Sequence, residues 1–177
     1  PMRRITDFVR RHGAVPAVQL AHAGRKASMQ RPWKGNGPLG EGDFAAGDLP
    51  WPVVAPSALA LDDGWIVPHR LTASEMASLK EDWQAAALRA LDAGFDVAEV
   101  HGAHGYLLHE FLSPLSNRRD DAYGGSFDNR VRFPLAVFDA VRAAWPADRP
   151  LGVRVSATDW VDGGWTLEQT VELAGRL

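Results

Sequence analysis

The run Phe95-Asp-Val-Ala-Glu-Val100, entered through Gly94 and leading into His101-Gly-Ala-His-Gly-Tyr106, decides how this chain is read. Its first half is an apolar run of strand length, and Gly94 marks the turn before it. Its second half sets two imidazoles and a phenol together at the C-terminal end of that strand. In a parallel α/β protein, strand ends and the loops after them line the face where ligands bind. Two imidazoles there can donate hydrogen bonds to one anionic or carbonyl oxygen, and a nearby phenol can supply a proton. These residue types in this order predict an enzyme.

Outward from that segment the chain alternates between strands and helices. Val15-Pro-Ala-Val-Gln-Leu20 reads as an earlier buried strand and Pro150-Leu-Gly-Val-Arg-Val-Ser156 as a later one. Met2 to Arg11 carries Ile5, Phe8 and Val9 on one helical face, and Gly13 closes that helix. The stretch from Lys26 to about Arg70 is rich in Gly and Pro and carries Trp33, Trp51 and Trp65. It is too long for a simple connection and reads as an excursion above the strand ends. Next, Thr72 is an N-cap with Glu75 reaching back, and Leu71 staples onto Met76. Met76, Leu79, Trp83, Ala87 and Leu91 continue an amphipathic helix. A polar loop from Ser113 to Asn129 follows the histidine-bearing strand, then a helix carrying Val131, Leu135, Phe138 and Val141. Thr158 to Gly164 is the loop of the third strand, and Thr166 to Gln169 is a capping box opening a last helix. This order is that of parallel βα units, hence an α/β fold. Pro1 precedes Met2 and the sequence stops inside the last helix, so the reading expects an internal slice of a larger protein.

Composition narrows the function classes. The 177 residues are 46% hydrophobic and 23% charged, with a net charge of −3 at pH 7, ordinary for a globular core. No basic stripe suggests nucleic acid as a partner, and no apolar run approaches a membrane span. There is no cysteine, which removes disulfides and thiolate-held metals from this stretch. A cytoplasmic protein acting on small molecules is the expectation.

Each predicted strand also carries a polar residue: Gln19 in the first, His101 closing the second, Arg154 in the third. Buried parallel strands are normally near-continuous apolar runs, so an amide and a guanidinium within them need partners. One reading pairs each with a nearby loop carboxylate or backbone carbonyl. The reading favoured by the histidines is a shared polar ligand, and a heterocycle bearing carbonyls and ring nitrogens, such as a flavin, suits that set.

Gln19-Leu-Ala-His-Ala-Gly-Arg-Lys-Ala27, His101-Gly-Ala-His-Gly-Tyr-Leu107 and His109-Glu-Phe-Leu-Ser-Pro-Leu-Ser-Asn117 resemble the Old Yellow Enzyme family of FMN-dependent ene-reductases. So do Arg119-Asp-Asp-Ala-Tyr-Gly-Gly-Ser-Phe-Asp-Asn-Arg-Val-Arg-Phe133 and Gly152-Val-Arg-Val-Ser156. The His-x-x-His form, with Arg-Lys-Ala-Ser following the first strand, is similar to the xenobiotic-reductase or thermophilic-like branch. The resemblance implies a (β/α)8 TIM barrel of which this chain holds strands three to five, with the excursion after strand three. Residues 1–177 are then the central segment of one FMN-binding barrel domain, truncated at both ends.

The resemblance also implies roles. Gln19 would hydrogen-bond the pyrimidine edge of the flavin, and Arg154 would stand beside its N1 and O2 region. His101 and His104 would bind the oxygen of an activating carbonyl or nitro group, and Tyr106 would protonate the α-carbon after hydride transfer. FMN is the implied cofactor, NADPH or NADH the reductant, and a homodimer or homotetramer the assembly. Alternatives on the same barrel are dienoyl-CoA reduction and amine dehydrogenation with an added iron–sulfur cluster, or an inactive truncated remnant.

Weaker signals receive plainer readings. The His-x-x-His spacing also occurs in metal sites, but a strand-end loop lacks the helix of the zinc proteases, and no metal is expected. His22 and His109 are expected to be structural, the latter bonding a backbone group. His12 and His69 are expected in solvent. The charge cluster from Asp120 to Arg132 is read as architectural, with Asn129, Arg130 and Arg132 tying the loop to the next helix. Trp33 and Trp51 either shape the substrate entrance or pack the excursion, and packing is the favoured reading; Lys26 either attracts a nicotinamide phosphate or is solvated, and solvation is the favoured reading.

Overall fold

The computed structural model describes residues 1–177. Helix α1 (Met2–Arg11) leads into strand β1 (Ala17–Leu20), and an excursion then carries α2 (Glu41–Ala45), β2 (Val54–Ala55) and β3 (His69–Arg70). The chain continues through α3 (Ala73–Asp92), β4 (Val97–Gly102), α4 (Leu107–Leu112), α5 (Phe127–Ala144), β5 (Leu151–Val155) and α6 (Leu167–Ala174). Strands β1, β4 and β5 form one parallel sheet with β4 in the middle. Their register pairs Gln19 with Glu99, Glu99 with Gly152, and His101 with Arg154. In a parallel ladder, paired residues point to the same face, so these polar side chains share one side of the sheet.

The other side is the core. Leu20, Ala98 and Val100 from the strands meet Met76, Trp83 and Ala87 of α3 and Phe133, Val137 and Val141 of α5. The expected start of α3 is present: Thr72 Oγ1 accepts from Glu75 N–H, and the Glu75 carboxylate accepts from Thr72 N–H at 2.7 Å. Thr166 and Gln169 make the same reciprocal cap on α6. No helix is long and apolar enough to cross a membrane.

Three expectations needed correction. First, α4 was not anticipated: all six of its residues are buried, so no polar face reveals a helical period. Second, the polar loop ends earlier than read, because Ser126 caps α5 by accepting from Asn129 N–H, and the helix starts at Phe127. Third, the helical face of α1 that carries Ile5, Phe8 and Val9 is not the face that seats it. Ile5 and Phe8 are each 55% exposed, whereas Thr6 is buried and donates to Ala93 O at 2.7 Å. Arg3 reaches Asp92, and Arg10 grips Asp96, so α1 is seated through a polar stripe.

The charge cluster is architectural, as expected. The buried Arg119 donates to Pro56 O and Leu71 O at 2.9 and 2.7 Å and to both oxygens of Asp121. Arg130 donates to Leu112 O, Arg132 to Ala122 O, and Asn129 to Gly124 O. These bonds fasten the excursion and the 113–126 loop to the helices beneath them. Arg119→Met would leave two buried carbonyls without donors, and each orphan costs about 1–3 kcal/mol. A loss of roughly 3 kcal/mol in urea unfolding of the full-length protein is expected, and a loss below about 0.5 kcal/mol contradicts this account.

Candidate active site

The polar face of the sheet and the loops at its C-terminal edge enclose a cavity of about 600 Å³. Gln19, Lys26, Trp51, His101, His104 and Tyr106 line it. The structure thus brings together four of the five residues singled out in the sequence. The fifth, Arg154, lies beside them, one strand over from His101.

Gln19 and Arg154 are not buried in the core. Both are exposed on the polar face, and both bind a residue that was not singled out, Glu99. Gln19 Nε2 donates to Glu99 Oε1 at 2.6 Å, and Arg154 Nε donates to the same oxygen at 3.0 Å. Burial alone would raise the Glu99 carboxyl, but these two bonds outweigh it and hold the group below its ordinary value. The signal for Glu99 was available: it sits two residues before His101, and two residues is the repeat of one strand face.

The imidazole of His101 is buried, and its Nδ1 accepts from Ala103 N–H at 3.2 Å. Burial, then the neighbouring His104 and Arg154, lowers its pKa. A neutral ring whose Nδ1 accepts carries its proton on Nε2, so His101 presents a donor to the cavity. The rings of His104 and Tyr106 stand edge-on to it, with centroids 5.1 and 5.0 Å away. No three His, Asp or Glu side chains converge as a metal-binding group.

The turn that carries His104 and Tyr106 is under backbone strain. His104 has φ +60° and Gly105 φ +71°, both in the left-handed region, which a side-chain-bearing residue adopts at a cost. Beside the backbone bonds from Tyr106 N–H to Ala103 O and from Leu107 N–H to His22 O, three side-chain contacts hold it. His104 N–H donates to Ser156 Oγ at 2.9 Å, Lys26 Nζ donates to His104 O at 2.7 Å, and Gly105 N–H donates to His109 Nδ1 at 2.8 Å. Lys26 is therefore half-buried rather than solvated. Burial, then the adjacent Arg25, lowers its pKa, and Glu110 works against them. Its ammonium also sits 5.6 Å from the centre of the Tyr106 ring.

His109 bonds a backbone group as expected, and His22 does likewise by accepting Gly24 N–H at 3.0 Å. His12 and His69 are exposed, although His69 also lies 2.9 Å from Glu75. The tryptophan expectation fails: Trp33 is 78% and Trp51 59% exposed, so neither packs the excursion. Trp51 is instead held against the cavity by Ser28, whose hydroxyl accepts from Trp51 N–H at 2.8 Å and donates to Trp51 O at 3.1 Å. For Trp51 the structure thus favours the alternative reading, a wall of the cavity, over packing of the excursion.

Beneath the site lies Glu110, only 1% exposed, with Oε1 accepting from Arg25 N–H at 2.9 Å and Oε2 unpartnered. A side chain at Gly24 would overlap this carboxyl group. Burial pushes its pKa up to about 8, against the weaker pull of Arg25 and Lys26.

Residues 1–176 match the NADH:flavin oxidoreductase / NADH oxidase family. The chain is 47% identical to an NADH:flavin oxidoreductase of Gibberella zeae, over 98% of this chain and 44% of that protein. It is 42% identical to an NADPH dehydrogenase of Bacillus subtilis, over 96% of this chain and 47% of that one. The solved Old Yellow Enzyme homologue of Zymomonas mobilis superposes with a TM-score of 0.77 at 30% identity, covering 99% of this chain and 48% of its own. The chain thus spans about half the length of the curated relatives it matches.

Glu110 keeps its proton in the folded state up to about pH 8, against an ordinary value of 4.5. Folding therefore binds a proton between those values. The stability this provides is complete below about pH 4.5 and is lost as the pH rises towards about 8. Glu110→Gln keeps the shape without the charge. It is expected to melt above the parent protein at about pH 8.5 and alike at about pH 4.5; the same offset at both would refute the assignment.

Proposed function

The chain belongs to the NADH:flavin oxidoreductase / NADH oxidase family, that of Old Yellow Enzyme, and on that premise we propose an ene-reductase function for the protein that carries it. Residues 1–177 are the central segment of a single FMN-binding (β/α)8 barrel, its strands three to five. The open outer edges of β1 and β5 support that reading, as do the exposed apolar residues of α1 and α6 and the half-length match to relatives. The substrates are small molecules with a C=C bond conjugated to a carbonyl or nitro group.

The observation that carries the proposal is the shared register of β1, β4 and β5. It sets Gln19, Glu99, His101 and Arg154 on one face beside Tyr106. These residues fit a flavin. Arg154 gives one N–H to Glu99, which leaves its terminal nitrogens free to donate. Gln19 likewise gives Glu99 one amide proton and keeps a donor and an acceptor for the edge of a pyrimidine ring. Glu99 orients both without blocking either.

FMN, when bound and reduced by NADPH or NADH, supplies the hydride. The work of this chain's residues is polarisation and proton delivery. His101 donates from Nε2 to the substrate oxygen, and His104 offers a second donor from the adjacent corner of the cavity. Negative charge building on that oxygen strengthens both bonds, which lowers the barrier. Tyr106 gives its phenolic proton to the α-carbon.

The test uses the full-length FMN-loaded protein under anaerobic conditions, reduced with NADPH and then mixed with a cyclic enone. Reoxidation of the flavin with saturation of the C=C bond is expected. Tyr106→Phe is expected to slow that second half-reaction by roughly 10²-fold or more while leaving flavin reduction unchanged. Equal losses in both half-reactions would remove Tyr106 from its role, and a reduced protein that leaves every enone and nitroalkene intact would remove the proposal.

A further inference from the structure

His109 and Asp159 lie outside the cavity lining, yet they stand directly behind its strained turn. Both are nearly buried, with side chains 11% and 8% exposed. Gly105 N–H donates to His109 Nδ1 at 2.8 Å, and a backbone amide can only donate, so Nδ1 carries no proton. The ring proton of neutral His109 is then on Nε2, which lies 2.9 Å from Asp159 Oδ1. That N–H points off the line to the oxygen, so the contact is a close electrostatic one rather than a linear hydrogen bond.

The other carboxylate oxygen is committed. Asp159 Oδ2 accepts from Ser113 Oγ at 2.6 Å and from Trp165 N–H at 2.7 Å. Burial would raise the Asp159 carboxyl, but His109, Ser113 and Trp165 outweigh it and hold it at about 2, so it is an anion at working pH. An anion facing Nε2 favours a proton there and disfavours a lone pair.

We propose that Asp159 and His109 are positioning residues for the reaction. Asp159 fixes the Nε2–H tautomer of His109, and the bare Nδ1 then holds Gly105 N–H and with it the placement of His104 and Tyr106. The kinetic consequence rests on the ene-reductase reading, whereas the tautomer does not. Ser156 and Lys26 bond His104, and the turn is closed by Tyr106 N–H to Ala103 O and followed by Leu107 N–H to His22 O, so His109 is the partner of the Gly105 N–H itself.

Asp159→Asn tests this sharply. Trp165 N–H still requires an acceptor, so the amide oxygen must take the place of Oδ2 and the NH2 must face His109. A bare Nε2 accepts a hydrogen bond from that NH2 where an Nε2–H repels it, so the ring proton is expected on Nδ1. That proton then meets Gly105 N–H head-on, and the turn loses its support. His109→Asn is the complementary change, since an asparagine oxygen occupies the place of Nδ1 and can accept from Gly105 whatever stands at position 159.

The experiment is nitrogen-15 NMR of histidine-labelled, FMN-loaded full-length protein, with the His109 signals assigned by their absence in His109→Asn. The parent protein is expected to show Nε2–H, and Asp159→Asn to show Nδ1–H. Alkene reduction in that variant should fall about 10²-fold, as for an ångström-scale misplacement, while NADPH still reduces the flavin at the parent rate. The double variant Asp159→Asn with His109→Asn should recover the rate of His109→Asn. An Asp159→Asn protein that keeps Nε2–H, or a double variant as slow as Asp159→Asn, overturns the proposal. If Asp159→Asn does not fold, His109→Gln replaces it: its amide cannot reach Gly105, so it should be slow where His109→Asn is not, and equal rates overturn the proposal. If the parent protein reduces no alkene, the functional reading falls separately. The tautomer and the hydrogen-exchange protection of the Gly105 amide then decide this one, with retained protection in Asp159→Asn counting against it.

Discussion

The site depends on the register of β4 between β1 and β5. Side chains alternate along a strand with a period of two, so a slip of one residue would send Glu99 and His101 into the core and Ala98 and Val100 into the cavity. The core forbids that slip, because Ala98 and Val100 are sealed against α3 and α5. Apolar packing on one face thereby fixes polar chemistry on the other. Gln19, Glu99 and Arg154 are neighbours because their strands pair in this way, and Glu99 then locks the two flanking side chains across three strands.

Strain is the second constraint. His104 and Gly105 adopt left-handed backbone angles in succession, and no local preference favours this for histidine. The conformation persists because elements distant in sequence grip it: the turn after β1 through Lys26, the end of β5 through Ser156, and α4 through His109. A loop over-determined by three elements is a rigid one, and rigidity at the donors is what electrostatic stabilisation of a developing charge requires. The buried α4 belongs to the same device, since it carries His109 and presents Glu110 to the turn at Gly24.

What was legible in the sequence follows from what leaves a local mark. The three strands, the capped helices and the His101 to Tyr106 constellation each have a period, a cap or a motif, and each is found where it was read. The capping boxes at Thr72 and Thr166 are set by residues three apart and need no tertiary context. By contrast, α4 has no polar face to betray its period, and α1 is seated by Thr6, Arg3 and Arg10 against a neighbouring turn that a single helix cannot foretell. The spacing of Glu99 to His101 places it on the same strand face, but its role as the partner of Gln19 and Arg154 shows only once the register sets them beside it. The Trp51 wall and the His109–Asp159 contact join residues 23 to 50 positions apart, and such contacts are set by the fold rather than by the sequence near either partner.

The charge balance of the site follows from these contacts. Arg154 and Glu99 largely neutralise one another, and His101 is held neutral by burial, so the cavity does not bind through net charge at those residues. Lys26 differs, because it donates to a carbonyl rather than a carboxylate and its positive charge is not cancelled by its partner. The site therefore offers oriented N–H donors at close range and one half-buried cation behind them. Such an arrangement responds weakly to a neutral carbonyl in the ground state and strongly to the same oxygen as negative charge develops on it, since the donors are already aimed and water need not reorganise. That asymmetry is what the proposed conjugate reduction needs, and it arises here from a salt bridge that cancels charge where the sheet holds it and a lysine that retains charge where the turn is strained.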